Sequence, residues 1–444
     1  MDNTLQTYDI LIKNTSYLDE NFEIQENATI AIGEGRIRKL LPSAALAQMP
    51  DLTAKEVIDG KNLLWMPGLI DGHTHTAQQL LKGAVLDALP MIWTRIMLPF
   101  ESTLTPAKMR LSAGLAALEM IKSGTTGFVD AGGYYMEEAG KVYLQSGLRG
   151  VLAHSSMDQG NFPDSIRQTT EEVLASQDEL YDAFHKKGNL KVFYSLRALM
   201  NCSAELITKT AERAVERDTF LQAHMNEYAG EVNYTLEKFK LRPVEYMDSL
   251  HALNERFVAA HGIMLSAHER YLLEKSGSMV VHCPFSNSGK GIPNAPELME
   301  RGICNCLGTD GAAHGGLSLW NEMKIFRSVM NAFWGIKNAD PAVMPAKAIL
   351  KMAAANGARI LREPECGALK EGFRADLISI NFHQYHLLAT NNKVNTLLEC
   401  VCASDVSDSI IEGKLLMRNR QVLTLDEEQL LWEASQYFKT GDVR

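Results

Sequence analysis

The sequence predicts an α/β protein, a (β/α)8 TIM barrel with a small β-sandwich domain built from both chain termini. Short apolar segments recur eight times through the middle of the chain, and helical stretches fill the gaps between them. Near-continuous apolar segments are typical of strands buried on both faces, and eight strand–helix units over about 250 residues make such a barrel. The chain ends show short strands and turns instead. We therefore predict a barrel domain at 67–366 and a composite domain formed by 1–66 and 367–444.

The eight barrel strands are expected where apolar segments end in polar clusters. They are 68–73, 126–130, 150–154, 192–195, 220–224, 257–261, 279–282 and 303–310. The helix between the first and second apolar segments has clear ends. Thr105 suits the N-cap and Pro106 the first helical position, and Gly124 ends the helix. The terminal domain is expected to contain strands at 9–13, 28–32, 36–40 and 375–380 and a hairpin at 409–416.

The charge balance argues against a polyanionic substrate. Lys and Arg total 44 against 54 Asp and Glu, and no basic block offsets the net charge of -10. The seven cysteines are scattered and lack the spacing of zinc knuckles or redox motifs, which favours a reducing compartment. The first residues lack a secretory signal, and no apolar run approaches the roughly 18 residues that span a bilayer. We expect a cytoplasmic protein that binds neither nucleic acid nor membrane.

Potential metal ligands are concentrated at the predicted strand ends. Histidines and one aspartate lie there: His73, His75, His224, His261, His282 and Asp310. The C-terminal ends of barrel strands converge on one mouth, and imidazoles beside a carboxylate are typical of metal sites. Because His73 and His75 are two residues apart, both side chains point to the same face of a strand. An isolated pair of this kind can be two exposed turn histidines, but the matching ligands downstream favour metal binding.

Glu227 and Asp310 are the candidate proton-transfer groups. Glu227 follows His224 by three residues. Hydrolysis at a metal requires a nearby acid that transfers protons, and Glu227 could be that acid. In the alternative interpretation, Glu227 only caps or solvates the following helix. Asp310 is expected to bind the metal and accept a proton from water, although an Asp-Gly pair also marks ordinary turns. His261 is expected at the mouth, the alternative being a core histidine that hydrogen-bonds the backbone.

Two loops are expected to contact the substrate. Ser286 and Asn287 follow the seventh strand and could hydrogen-bond a substrate, or belong to a proline-stiffened packing loop. Trp93 lies in the excursion 86–93, where an indole would offer a planar ring a flat apolar surface. In the alternative, it packs beneath Leu98 and Phe100 as core.

Six stretches make the chain similar to the amidohydrolase superfamily. They are 67–75 (PGLIDGHTH), 224–227 (HMNE), 282–287 (HCPFSN), 308–313 (GTDGAA), 355–358 (ANGA) and 367–377 (GALKEGFRADL). Within the superfamily, the sequence resembles the branch of S-adenosylhomocysteine/methylthioadenosine deaminases, guanine deaminase and the triazine chlorohydrolases. The resemblance covers almost the whole chain.

The resemblance implies one metal ion, zinc or iron, held by His73, His75, His224 and Asp310. Relatives with two metals carry a carboxylated lysine at the end of the fourth strand, whereas Lys191 lies at the other end of that strand here.

The resemblance also implies roles for the neighbouring residues. Glu227 would protonate a ring nitrogen, Asp310 with His261 would pass the water proton to the leaving group, and Trp93 would lie over the base. Arg197 is a candidate contact to an anionic or carbonyl group of the substrate.

Three departures from the S-adenosylhomocysteine deaminases concern the substrate. Those relatives commonly have Arg-Gly where this chain has Lys82-Gly83, and Ser-Asn-Asn where it has 314–316 (HGG). They often end the fourth strand in Gly-Pro-His, where this chain has Arg197. His314 and His154 are weaker candidates for residues at the mouth. The reaction class is expected to be kept, but the identity of the nucleoside is not.

The predicted function is a metal-dependent deaminase that removes ammonia from a nitrogen heterocycle such as a purine, pterin or nucleoside. One Zn2+ or Fe2+ ion per chain is expected, in a homodimer or homotetramer. Displacement of chloride or an alkylamine from a triazine is the alternative. A non-catalytic metal-bound scaffold is a third hypothesis, which predicts a missing ligand or acid, and none is missing.

Overall fold

The computed structural model describes residues 7–46, 52–88 and 92–441. Residues 89–91 of the predicted loop 86–93 lie outside the described residues, as do residues 1–6, where no secretory signal is expected. The described chain contains nineteen strands: β1 (Thr7–Leu18), β2 (Ile24–Gly33), β3 (Arg36–Pro42), β4 (Thr53–Asp59), β5 (Leu63–Pro67), β6 (Leu69–His75), β7 (Thr125–Asp130), β8 (Arg149–Leu152), β9 (Leu190–Val192), β10 (Tyr194–Ala198), β11 (Leu221–Met225), β12 (Phe257–His261), β13 (Met279–His282), β14 (Asn305–Leu307), β15 (Asp310–Gly311), β16 (Leu377–Asn381), β17 (Val406–Ile411), β18 (Lys414–Arg418) and β19 (Gln421–Val422).

The α-helices of the described residues are α1 (Ser43–Leu46), α2 (Leu98–Glu101), α3 (Pro106–Ser123), α4 (Met136–Ser146), α5 (Thr170–Phe184), α6 (Ala204–Glu216), α7 (Ala229–Phe239), α8 (Pro243–Ser249), α9 (Ala267–Ser276), α10 (Pro284–Asn287), α11 (Ala295–Glu300), α12 (Leu319–Met330), α13 (Ile336–Asn338), α14 (Ala346–Ala353), α15 (Ala355–Ile360), α16 (Tyr385–Leu388), α17 (Lys393–Glu399) and α18 (Glu427–Thr440). Two π-helical segments, Trp93–Met97 and Asn331–Gly335, lead into α2 and α13. Short 3-10 turns lie at Thr76–Leu81, Asp164–Ile166, Leu199–Asn201, Ala312–His314 and Ala403–Asp405.

Strands from both chain termini form one nine-stranded sheet. Its order is β19-β18-β17-β16-β5-β1-β2-β3, and β4 pairs with β1. The terminal strands predicted from sequence each overlap a strand of this sheet, although β16 begins at Leu377, two residues after the predicted start, and the predicted hairpin corresponds to β17 and β18. Ile32 of β2, Trp65 of β5 and Ile410 of β17 belong to one buried cluster. The two chain ends therefore share a hydrophobic core.

The middle of the chain forms two five-stranded parallel sheets. Their orders are β15-β6-β7-β8-β9 and β10-β11-β12-β13-β14. Phe193 alone separates β9 from β10, and Gly308 and Thr309 separate β14 from β15, so in both places the chain passes from one sheet to the other. The eight strands predicted from sequence appear in this order, with the fourth and the eighth each broken in two.

Helix α3 shows how local sequence sets the ends of an element. The Thr105 hydroxyl accepts a hydrogen bond from the backbone N–H of Lys108 at 3.3 Å, which satisfies a donor that the helix leaves unpaired. Gly124 follows the last turn with a φ of 84°, in the left-handed region that glycine adopts without steric cost. Both predicted ends of this helix are confirmed.

The C-terminal helix α18 packs on α3. A Cβ at Gly114 of α3 would lie 2.4 Å from a methyl group of Leu430, so glycine permits the close approach. The region 367–444 thus contributes a helix to the outside of the parallel sheets as well as strands to the mixed sheet. Among the described residues, no helix has both the length and the apolar composition needed to cross a membrane.

Candidate metal centre and active site

The predicted metal ligands lie at the ends of neighbouring parallel strands. His73 and His75 are the last alternate residues of β6, His224 lies near the end of β11, and Asp310 opens β15, which pairs with β6 at Thr74. His73, His75 and Asp310 are all buried. Because strand direction is shared within each parallel sheet, the fold brings these four side chains together at one end of the strands.

Nitrogen and oxygen atoms of these residues converge at distances that suit a metal ion. His75 Nε2 lies 3.1 Å from His224 Nε2 and 3.4 Å from Asp310 Oδ1, and His73 Nε2 lies 3.9 Å from Asp310 Oδ1. Two nitrogens bound to one tetrahedral zinc at 2.0–2.1 Å would lie about 3.3 Å apart. His73 Nε2 is buried and hydrogen-bonds none of the described residues. The donor set and its unpaired nitrogen therefore fit a divalent metal ion.

The protonation states also suit metal binding. Burial lowers the pKa of His224 to about 3, and burial followed by the charge of His224 lowers the pKa of His73 well below its usual value. These imidazoles are neutral at physiological pH, which is the form that binds metals. Burial would raise the pKa of Asp310, but electrostatic interactions with His261, His314, His75 and the Lys290 ammonium hold it well below its usual value. Asp310 is therefore ionised, which is the form in which a carboxylate can bind a metal ion.

Asp71 fastens β6 to the segment that carries Asp310. Its carboxylate accepts hydrogen bonds from the backbone N–H groups of His73 and Thr309, at 3.2 and 3.1 Å, and from the Thr309 hydroxyl at 2.5 Å. A Cβ on Gly308 would lie 2.8 Å from the carbonyl oxygen of His73. The small residues before Asp310 thus let the two strands approach each other closely.

Two site residues have an unfavourable backbone conformation. Asp310 and His261 have φ angles of 59° and 72°, in the left-handed region that residues with a Cβ rarely adopt. Such a conformation costs of order 1–3 kcal/mol and is concentrated at functional sites, where surrounding contacts enforce it. The strain therefore coincides with the predicted proton-transfer residues.

Glu227 is directed toward the site. Helix α7 begins after Tyr228 without a capping side chain, so the alternative in which Glu227 caps this helix is wrong. Glu227 Oε1 lies 2.5 Å from Lys290 Nζ and 3.8 Å from His261 Nε2. Burial would raise the pKa of Glu227, but the charges of His261 and Lys290 outweigh it and lower the pKa well below its usual range.

Lys290 links the two carboxylates. Its ammonium donates to Glu227 and to Ser286 Oγ at 2.9 Å, and Ser286 Oγ in turn donates to Asp310 Oδ2 at 2.6 Å. Sequence reasoning missed Lys290, because it lies between two glycines in a loop with no periodic pattern. The only signal was a lysine in an otherwise small and polar segment.

The loop after β13 also orients His261. Asn287 Oδ1 lies 3.0 Å from His261 Nδ1, and the carbonyl oxygen of His261 lies 2.9 Å from His282 Nδ1. His261 Nε2 consequently faces Glu227, and it hydrogen-bonds no described residue. Asn287 Nδ2 is likewise buried without a hydrogen-bond partner among the described residues.

Trp93 occupies a position between two apolar clusters. It is partly buried and packs against two apolar clusters, one that contains Met97 and Ala313 and one that contains Leu98. Part of its surface therefore belongs to the hydrophobic core, which is what the alternative prediction for Trp93 expects. The Arg197 guanidinium lies 5.9 Å from the centre of its ring. Arg197 is buried and paired with Glu101, a carboxylate that sequence reasoning missed because the two residues are far apart in the chain.

The other histidines predicted near the mouth have partners of their own. His154 Nε2 lies 2.9 Å from Gln168 Oε1, which gives that ring a protein partner. His282, expected among the strand-end ligands, belongs to neither group of described residues that could hold a metal, and its ring stacks on Phe326. His314 follows Asp310 in a short 3-10 turn and is near enough to help lower the pKa of Asp310.

Comparison with known proteins identifies the family of the chain. A sequence model of the amidohydrolase family matches residues 64–416, and the chain belongs to this family. The predicted class, a hydrolase of C–N bonds in cyclic amidines, is confirmed.

Two relatives with assigned activities match nearly the full chain. The chain is 31% identical over 434 residues to a 5′-deoxyadenosine deaminase of Methanosphaera stadtmanae, covering 97% of this chain and 98% of that protein. It is 33% identical over 384 residues to a 5-methylthioadenosine/S-adenosylhomocysteine deaminase of Pyrococcus horikoshii, covering 85% and 89%. Among solved structures, a zinc-bound adenosine deaminase from Xanthomonas campestris is similar with a TM-score of 0.92 and 25% identity over 98% of each chain.

Proposed function

We propose that this protein deaminates an adenosine-like nucleoside by metal-assisted hydrolysis, with one divalent ion, Zn2+ or Fe2+, per chain. The observation that carries the proposal is the convergence of three imidazoles and a carboxylate at the strand ends beside Glu227. The deaminase relatives support an adenosine-like substrate over other heterocycles.

His73, His75, His224 and Asp310 would hold the metal. A divalent ion bound there supplies the Lewis acidity that makes water a nucleophile at neutral pH. A single ion is favoured because Lys191 is bound to Glu363 at 2.6 Å and to two backbone carbonyls at the opposite end of the strands, where it cannot bridge a second ion.

The chain's own residues would move the protons. Glu227 must take up a proton before the reaction begins. Water adds to the ring carbon that bears the amino group, Asp310 accepts one proton of that water, and Glu227 delivers its proton to the adjacent ring nitrogen. Asp310 and His261 then pass a proton to the amino group, the C–N bond breaks, ammonia leaves, and the remaining hydroxyl proton returns to Glu227 as the carbonyl forms. Lys290 and Ser286 orient the two carboxylates through their hydrogen bonds.

The substrate ring would lie against Trp93 near Arg197. An indole gives a purine a flat apolar face, and Asn287 Nδ2 is a free donor for a ring or carbonyl acceptor. Ser286, which donates a hydrogen bond to Asp310, is also proposed to contact the substrate.

The two parallel sheets are proposed to be one closed (β/α)8 barrel at 67–366. The breaks at Phe193 and at Gly308–Thr309 support closure, because each lets a single strand pair with both sheets. The mixed sheet from 1–66 and 367–444 would be the sandwich-like second domain, with its shared core.

We also propose that the protein is cytoplasmic and forms a homo-oligomer. The seven cysteines are all free in the structure, which supports a reducing, cytoplasmic location. Leu431, Trp432 and Phe438 of α18 are more than half exposed, which supports a homodimer or homotetramer, and sedimentation would measure its size.

Ammonia release from a panel of purified compounds tests the function. The panel holds 5′-deoxyadenosine, adenosine, guanine, a pterin and an aminotriazine, each given to metal-loaded protein, with the Glu227→Gln variant as control. We expect ammonia from an adenosine-like nucleoside and little in the control. Turnover of the triazine alone, or of no compound, would contradict the proposal.

A further inference from the structure

The backbone turns sharply between the proposed ligand His224 and the proposed acid Glu227. Asn226 has a φ of 52°, in the left-handed region that asparagine adopts more readily than most residues with a Cβ. Its carbonyl oxygen accepts hydrogen bonds from the backbone N–H groups of Ile263 and Met264 at 3.1 and 2.9 Å. The conformation of Asn226 therefore sets the direction in which the chain leaves β11 toward Glu227.

The Asn226 side chain ties this turn to a buried carboxylate. Its Nδ2 donates to Glu269 Oε1 at 2.8 Å, and Glu269 is fully buried. Glu269 Oε2 accepts from Arg242 Nε at 2.7 Å, which compensates the charge of the carboxylate. A left-handed conformation of this kind persists only where several surrounding contacts enforce it together.

A second buried carboxyl group holds the backbone of Glu227 itself. Glu231 is 2% exposed, and its Oε2 accepts a hydrogen bond from the backbone N–H of Glu227 at 2.9 Å. Its other oxygen, Oε1, hydrogen-bonds none of the described residues. The bond to Glu227 is therefore not a by-product of a larger network, and it secures the peptide that directly follows the strained residue Asn226.

This bond differs from ordinary helix capping. Glu231 is the third residue of α7, where a glutamate of a capping box accepts from the N–H of the N-cap residue. The N-cap of α7 is Tyr228, whereas Glu231 binds one residue further back, at Glu227. Burial raises the pKa of Glu231 to about 8, so an acid at this place is unfavourable if capping is its only role.

We propose that Glu231 is a positioning residue for proton transfer, which fixes the Glu227 carboxylate by holding the backbone N–H of Glu227. The proposal rests on the proposed function, in which Glu227 transfers the proton. Glu227 Oε1 lies 2.5 Å from Lys290 Nζ and 3.8 Å from His261 Nε2, and both distances depend on where the Glu227 backbone lies. Proton transfer requires atoms within hydrogen-bond reach, so a small displacement of Glu227 slows the reaction more than it weakens substrate binding.

Two substitutions separate the hydrogen bond of Glu231 from its acidity. Glu231→Gln keeps an oxygen that can accept from the N–H of Glu227, whereas Glu231→Leu removes the acceptor at similar size. We expect Glu231→Leu to lower kcat for the best nucleoside by about tenfold with little change in KM, the factor that corresponds to one hydrogen bond. Glu231→Gln should keep most of the wild-type kcat.

Glu172→Leu is the matched control. Glu172 is also the third residue of its helix, α5, and its Oε2 accepts from the backbone N–H of Thr169 at 2.8 Å. Because this bond holds none of the proposed site residues, the variant should leave kcat and KM unchanged. If Glu231→Leu does not fold, Glu231→Ala replaces it, since alanine is the best helix former, and it should show the same loss of kcat.

Crystal structures of the variants provide a readout that does not depend on turnover. The Glu227 carboxylate should move away from His261 in Glu231→Leu and keep its place in Glu231→Gln. An unmoved Glu227, an unchanged kcat, equal losses in both variants, or a change in KM alone overturns the inference. A displaced Glu227 in Glu231→Leu, in a protein whose wild type releases no ammonia from any nucleoside, supports the positioning role and refutes the proposed function.

Discussion

Glu227 is the residue on which proton transfer depends in the proposed reaction. Its contacts with His261 and Lys290 keep it ionised, so that it must take up a proton before it can deliver one to a ring nitrogen. Its hydrogen bond to Lys290 also fixes the direction of the carboxylate. Both its charge and its position are therefore set by neighbours in other elements.

Glu227→Gln should retain the metal and lose most of the rate. Proton transfer by a positioned side chain contributes typically 10²–10⁴-fold, and the amide cannot transfer the proton. Turnover and metal content of the purified variant are the measurements. Near-normal turnover on the best substrate would mean that another group carries the proton.

Lys290→Met should lower kcat by about tenfold to a hundredfold with little change in KM, because it removes the hydrogen bonds that orient Glu227 and Ser286. Lys290→Arg should recover part of the loss, since an arginine can still donate to Glu227. Steady-state kinetics of the three proteins at equal metal content measure the split. A change in KM alone would place Lys290 in substrate binding instead.

The sequence predicts the ligands better than the groups that orient them. His73, His75, His224 and Asp310 lie at ends of repeated apolar segments, so one pattern locates them all. Lys290 and Glu101 lie outside any strand pattern, and their partners come from distant parts of the chain. Such pairings depend on tertiary structure, which local periodicity does not encode.

At the scale of elements, the broken eighth strand shapes the site. The chain leaves β14, passes Gly308 and Thr309, and resumes as β15 beside β6, which puts Asp310 next to His75. The apolar segment 303–310 predicts the strand but not the break, because the break depends on the contact between Gly308 and His73 in another strand.

Helix α7 carries a buried acid with a testable pH dependence. Burial raises the pKa of Glu231 to about 8, from 4.5 for an unperturbed glutamate, so the folded chain keeps this proton where the unfolded chain releases it. Its contribution to stability is complete below pH 4.5 and falls as the pH rises toward 8.

Glu231→Gln should therefore gain stability relative to wild type as the pH rises from 5 to about 8, by on the order of a few kcal/mol. Urea unfolding at several pH values measures the difference, with the exposed Glu255→Gln as control. Parallel pH profiles of wild type and Glu231→Gln would show that this carboxyl is not held protonated in the fold.

At the scale of the whole molecule, a buried ion network joins the mixed sheet to the parallel sheets. Arg149 at the start of β8 binds Asp376 at 2.7 Å and also pairs with Glu412 near the hairpin turn. Arg149 is the first residue of β8, whereas the proposed metal ligands lie at the other end of the parallel strands, so we expect its role to be structural.

Arg149→Met should destabilise the protein by about 3–5 kcal/mol, the cost of leaving a buried charge without its partner. Arg36→Met removes a more exposed pair with Glu365 and should cost no more than about 1 kcal/mol. Denaturant unfolding measures both, and kcat of the folded Arg149→Met protein should stay close to wild type. Equal stability of the two variants would show that the network does not hold the sheets together.

The order of the central strands can be predicted from the sequence, but the long-range contacts that hold the sheets together cannot. The recurring apolar segments predict the order of the central strands, and four terminal strands and a hairpin are also predicted, but β4, β5 and β19 are not. The pairing of β5 with β16, and the contact of Arg149 with Asp376, join segments separated by most of the chain. These long-range contacts arise from packing of complete elements, which no local pattern specifies.

Stoichiometric reconstitution with zinc tests whether the protein is an enzyme that depends on one metal ion per chain. The protein is stripped of metal with a chelator, and the rate of ammonia release from its best nucleoside substrate is measured as zinc is added. We expect no turnover without metal, a linear rise, and a break at one equivalent per chain, because His73, His75, His224 and Asp310 are proposed to hold one ion. Turnover by the metal-free protein, or a break at two equivalents, would contradict it.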